Sequence, residues 1–147
     1  MFCVCSNYPL LPLILASEAC GGTMTIQAGQ SREIMSPKYP LLYPASSKCI
    51  WKISTSQNSV VSIQFVDFET EPLNDVVDVR DGITETDHLL ASLSGARQTK
   101  TYFTTGPNLL VKFSSDFINS RRGFKAIIRA GIVLKHYFID FCFYTKM

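Results

Sequence analysis

"VVSIQFVDF", residues 60–68, decides the fold class. Val61, Ile63 and Phe65 alternate with Ser62, Gln64 and the less polar Val66, the period of two that belongs to a strand with one buried face. The same alternation returns in Trp51 and Ile53, in Val77 and Val79, in Leu109, Val111 and Phe113, and in Phe124, Ala126 and Ile128. No helical stripe runs through the middle of the chain. Turn signals separate the runs: "SPKYPLLYP" at 36–44, "DG" at 81–82, "SG" at 94–95, "TGPN" at 105–108 and "RRG" at 121–123. Short strands so spaced predict an all-β chain folded as a β-sandwich.

At 147 residues the chain suits one domain, and its 46% hydrophobic and 18% charged content is that of a globular protein. A formal charge of +2, with the basic residues scattered, argues against nucleic acid as a partner. The acidic residues are distributed unevenly. Asp67, Glu69, Glu71, Asp75, Asp78 and Asp81 crowd into one segment although the whole chain holds twelve carboxylates. Such a density either faces water as a solvated edge or shares a cation that relieves the repulsion.

The ends differ from the middle. "YPLLPLILASEAC", residues 8–20, is an apolar run closed by Ser17 and Ala19, small residues that suit a secretory cleavage site before Cys20. No Lys or Arg precedes Arg32, and Pro9 and Pro12 break the run. Residues 1–19 are therefore either a signal peptide or an upstream segment of a longer chain. Residues 131–147 form an apolar tail interrupted by Lys135 and Asp140, too short between charges for the ~17 apolar residues of a membrane span. Cys20 and Cys49 enclose a loop of a length that a disulfide stabilises by roughly 3 to 4 kcal/mol. The alternative is five reduced cysteines, Cys142 among them.

Catalytic signatures are missing. There is no Gly-x-Ser-x-Gly, His-Glu-x-x-His, Gly-x-Gly-x-x-Gly or P-loop, and His88 and His136 lack ligand-spaced partners for zinc. A glycosidase pair of Glu71 and Asp75 has nothing else to support it. The expectation is a chain that is not an enzyme.

"CGG" at 20–22, "SPKYPLLYP" at 36–44, "CIW" at 49–51, "FVDFETE" at 65–71, "DVVDVRDG" at 75–82, "LLASLSG" at 89–95 and "LLVKFSSDFINSRRGFKA" at 109–126 together resemble a CUB domain over residues 20–130. The resemblance implies a jelly-roll-like sandwich of two antiparallel sheets, secreted or extracellular, used as a binding module. It implies a first bridge between Cys20 and Cys49, leaving Cys142 unpaired. It also implies calcium, held by Tyr43, Glu71, Asp75, Asp116 and Asn119, with Tyr43 positioning a carboxylate through its hydroxyl. Physical chemistry stands beside this: calcium takes six to eight hard oxygens, and Glu71, Asp75 and Asp116 would repel one another if they converged without it. Glu69 falls on the same side of an alternating strand as Glu71, but the family's glutamate ends its motif. Asp78 and Asp81 read as the solvent side of a strand and its turn.

One departure from the pattern is coherent. The family's second disulfide is missing at both ends, the loop after Glu71 being shortened to "PLN" at 72–74 and Ser94 standing at the partner position. The function expected is calcium-dependent recognition of an extracellular protein, a ligand lysine reaching the acidic cage. Two alternatives are an accessory domain of a larger extracellular protease and a carbohydrate or heparin module using Arg121, Arg122 and Lys125.

Overall fold

The computed structural model describes residues 20–97, 100–134 and 137–139. Segment 1–19 and Cys142 lie outside the described residues, as does His136. Ten strands are present: β1 Gly22–Thr25, β2 Ser31–Met35, β3 Lys48–Ser54, β4 Ser59–Glu69, β5 Val76–Asp81, β6 His88–Leu93, β7 Thr101–Phe103, β8 Asn108–Ser114, β9 Gly123–Leu134 and β10 Tyr137–Ile139. One sheet runs β1-β3-β8-β5-β6. In the other, β9 pairs with β4 on one side and with β2 and β10 on the other, and β4 carries β7. The chain is an all-β sandwich, and the alternating runs of the sequence supply β3, β4, β5, β8 and β9. Both sheets are antiparallel as expected but for one pairing, β1 running parallel to β3. The Cys20–Cys49 disulfide delivers the chain to the side of β3 already running its way.

The two inner faces meet in an aromatic core. Phe124 packs edge-on to Trp51 at 5.7 Å and to Phe113 at 5.7 Å, and stacks on Phe68 at 6.1 Å. Val61, Ile63 and Phe65 of β4 are buried as their alternation predicts. A β-bulge then inserts Val66: Phe65 pairs with Ala126 and Asp67 with Lys125. The extra residue shifts the parity, so Phe68 is buried and Asp67 and Glu69 lie on the outer face. Arg122, in the turn before β9, reaches both, at 2.8 Å from Asp67 Oδ1 and 2.8 Å from Glu69 Oε2. Tyr39 donates to Asp67 at 2.8 Å.

Register gathers the loops that matter. Lys48, Ser114 and Val76 stand side by side across β3, β8 and β5, while Glu69 of β4 faces Gly123 of β9. Segments 36–47, 70–75 and 115–122 consequently leave the sandwich at one end. Gly123 permits this closure. Its φ of +82° is in the left-handed region, and a Cβ there would lie 1.8 Å from Ser36 Oγ, which accepts the Phe124 amide at 3.0 Å.

Two outcomes test these features. Cys49→Ser should destabilise the domain by about 2 to 5 kcal/mol in denaturant titration, and non-reducing peptide mapping should link Cys20 to Cys49. The Arg122 hydrogen bond, aided by that of Tyr39, holds the Asp67 carboxyl below its ordinary range. A depressed pKa contributes stability above the unfolded value and loses it as pH falls through the folded one. Below about pH 4, the melting temperature of the wild type should therefore fall more steeply than that of Asp67→Asn.

Candidate functional site

The acid-rich segment divides into two groups. Asp78 accepts from Ser92 Oγ at 2.7 Å and lies 3.5 Å from Arg80. Asp81 accepts the Thr105 amide and hydroxyl, the latter at 2.7 Å. Asp67 and Glu69 belong to Arg122. Glu71 and Asp75 are different, being 7% and 0% exposed. The expectation that Glu69 and Glu71 share a side is corrected here: β4 ends at Glu69, and the chain turns inward before Glu71.

Asp75 is the centre. The Tyr43 hydroxyl donates to its Oδ2, and the Asp116 amide donates to its Oδ1 at 2.8 Å. The same Tyr43 oxygen accepts the Glu71 amide at 2.9 Å, so one buried phenol ties the 36–47 loop to both ends of the 70–75 turn. Burial and the bond to Asp75 raise the Tyr43 pKa well above the ordinary phenol value, which keeps it a proton donor. Its ring is fixed edge-on to Phe113 at 5.1 Å.

Asn119 sits at φ +54°, a left-handed conformation that asparagine tolerates, and from there its Nδ2 donates to Glu71 Oε1 at 2.8 Å. Its nitrogen, then, is what faces this carboxylate. Asp116 holds its own loop, accepting the Ile118 amide at 2.9 Å. One oxygen from each of Glu71, Asp75 and Asp116 lies within 4.8 Å of the others. Two ligands of one calcium ion, each at about 2.4 Å, can be no further apart than about 4.8 Å.

The other Glu71 oxygen, Oε2, is buried and has no hydrogen-bond partner. Burying a carboxylate oxygen without a donor is costly, and a hard cation is the species that would satisfy it. The donor set is all oxygen, which suits calcium and not zinc.

Ser94 is a residue whose role sequence reasoning missed. Its hydroxyl donates to the Glu71 carbonyl at 2.9 Å and accepts the Leu73 amide at 2.7 Å. Thr70 continues the seam, donating to the Asp75 carbonyl at 2.9 Å and accepting the Gly95 amide at 3.0 Å. Hydrogen bonds hold the shortened loop where the family's second bridge is lacking. The one signal was a serine at a cysteine's position.

Comparison with known proteins agrees with this architecture. The family model "CUB domain" matches residues 20–127. Human cubilin is 33% identical over 118 residues, covering 78% of this chain and 3% of cubilin. Human tolloid-like protein 2 is 36% identical over 111 residues, covering 73% of this chain and 11% of that protein. The chain thus spans a small fraction of the curated relatives it matches. Among solved structures, the full extracellular region of zebrafish Gpr126/Adgrg6 aligns at TM-score 0.69 and 31% identity, over 78% of this chain and 15% of that one. The MASP-1 CUB2 domain bound to Ca2+ aligns at TM-score 0.63 and 25% identity, over 75% of this chain and 99% of that one. With its sandwich, its disulfide and the sequence match in agreement, the chain belongs to the CUB domain family.

Proposed function

We propose that residues 20–130 form an extracellular, non-catalytic recognition module that binds calcium through Glu71, Asp75 and Asp116 and presents the surrounding loops to a protein ligand. The observation that carries this reading is the unpartnered buried Oε2 of Glu71 beside two further carboxylates. The calcium-bound MASP-1 neighbour and the extracellular region of Gpr126/Adgrg6 support it. Tyr43 and Asn119 serve the site by holding Asp75 and Glu71. With three carboxylates around one divalent ion the cage stays negative, so a ligand lysine is its natural complement. Segment 1–19 remains proposed as a signal peptide or upstream segment; of the expected tail 131–147, residues 131–134 and 137–139 are instead sheet strands in β9 and β10, because backbone pairing with β4 and with one another carries them past residue 130. Among the described residues no helix is long and apolar enough to cross a membrane.

The small share of cubilin and tolloid-like protein 2 that is matched favours a second placement of the same chemistry, as an accessory module of a larger extracellular protein such as a protease. A heparin surface built on Arg121, Arg122 and Lys125 is disfavoured. Arg122 is engaged by Asp67 and Glu69, and Lys125 lies 3.0 Å from Glu33.

Calcium that binds only the folded state should stabilise it. With a dissociation constant of about 0.1 to 1 mM, typical of extracellular modules, about 1 mM free ion adds about 0.4 to 1.4 kcal/mol, a rise in melting temperature of about 1 to 5 °C. Asp116→Ala should abolish the rise and leave a folded sandwich, while Asp78→Ala should leave the rise intact. Identical melting curves in calcium and in EDTA would refute the site.

Tyr43→Phe keeps the ring and removes the hydroxyl shared by Asp75 and Glu71. It should cost about 1 to 3 kcal/mol, as for a buried polar group deprived of its partner, and weaken calcium binding by isothermal titration. Loss of stability with an unchanged calcium affinity would show that the hydroxyl serves the fold alone.

A further inference from the structure

The four most exposed large apolar side chains among the described residues all stand on the three loops of the acidic cage: Leu73 at 90%, Phe117 at 78%, Leu41 at 70% and Leu42 at 63%. Leu73 lies midway between Glu71 and Asp75, Phe117 follows Asp116, and Leu41 and Leu42 precede Tyr43. The loops carrying them are hydrogen-bonded to one another through Tyr43, Asp75 and the Asp116 amide. Apolar side chains gathered at a polar centre mark a contact surface.

Leu73 supplies an independent observation. Its φ is +74°, a conformation that glycine or asparagine adopts at little cost and that is uncommon for leucine. Its side chain is nearly all in water. A leucine that strains its backbone and leaves its side chain 90% exposed gains little packing within the domain, which points to a contact outside it.

We infer that Leu73, Phe117, Leu41 and Leu42 form an apolar collar around the cage, and that the partner is a protein segment whose cationic side chain is flanked by apolar residues that bury against this collar. The inference rests on the proposed cage, and charge selects the occupant. Three carboxylates surround the centre, which favours a cation ringed by apolar groups over an anionic lipid headgroup. The cage supplies orientation and the collar supplies the area from which specificity and slow dissociation come.

Two immobilised synthetic peptides test it, each carrying one lysine, flanked in one by leucine and phenylalanine and in the other by glycine and serine. By surface plasmon resonance in calcium, the full chain should bind the apolar-flanked peptide about tenfold or more tightly than the other. Leu73→Asn combined with Phe117→Ser should bring the two peptides to parity while keeping the calcium-dependent rise in melting temperature. Leu73→Asn alone should leave the melting temperature unchanged or higher, because it relieves the backbone. Equal binding of both peptides by the wild type, with the calcium-dependent rise intact, overturns the collar and leaves the cage standing. An apolar preference lost in the double variant but indifferent to EDTA and to Asp116→Ala upholds the collar and overturns the cage. Calcium-dependent sedimentation with phosphatidylserine-containing vesicles, lost in the double variant while the peptides bind alike, overturns the protein partner in favour of a lipid surface.

Discussion

A fully buried carboxylate organises this end of the molecule. Asp75 has no access to solvent, and an isolated charge in such a place would cost several kcal/mol. It is tolerated because each oxygen has a donor from a different loop: the Tyr43 hydroxyl from 36–47 and the Asp116 amide from 115–122. Both loops must be in register for either bond to form. The pairings that align Lys48, Ser114 and Val76, the glycine that lets β9 begin against Ser36 and the ring contact of Tyr43 with Phe113 all serve that alignment.

The missing second bridge changes how the 70–75 turn is held. A disulfide typically contributes about 2 to 4 kcal/mol by restricting the unfolded chain. The bonds of Ser94 and Thr70 are each worth about 1 kcal/mol net, and they act only in the folded state. They set the position of Glu71 without cross-linking it. A cation joining Glu71 to Asp75 and Asp116 would add the constraint that covalent chemistry does not provide here. Ligand stabilisation and loop order are then the same event.

Legibility in the sequence followed burial. β3, β4, β5, β8 and β9 were readable because one face of each meets the core and the alternation survives. β2 buries only Ile34 among its five residues, and β7 is three residues long, so neither leaves a periodic trace. The bulge at Val66 was invisible for a related reason: a single inserted residue inverts parity without altering composition. That inversion sent Asp67 and Glu69 to Arg122, and Glu71 reaches the interior only because β4 ends at Glu69 and the chain turns there. Asp116 enters the site from the end of β8, beside Asp75 because β8 pairs with β5 and sets Ser114 against Val76, a juxtaposition that spacing alone does not contain. It came from the family's motif order. The acidic partners of two cations suggested for heparin, Arg122 and Lys125, were not legible for want of tertiary information, since Glu33 and Lys125 are joined only by the pairing of β2 with β9.

The crowding of acids has, in the end, two physical causes acting in one segment. On the outer faces of β4 and β5, carboxylates are neutralised or hydrogen-bonded by Arg122, Arg80, Ser92 and Thr105, and they would be in place whether or not an ion were bound. At the turn between those strands, Glu71 and Asp75 face Asp116 with an oxygen left over, and the balance is conditional on the medium. A site with a dissociation constant of about 0.1 to 1 mM is about half to nine-tenths occupied at about 1 mM calcium and empty at micromolar levels. The disulfide between Cys20 and Cys49 also persists only in an oxidising compartment. Bridge and proposed cage would thus respond to two properties of the same surroundings, redox potential and calcium level.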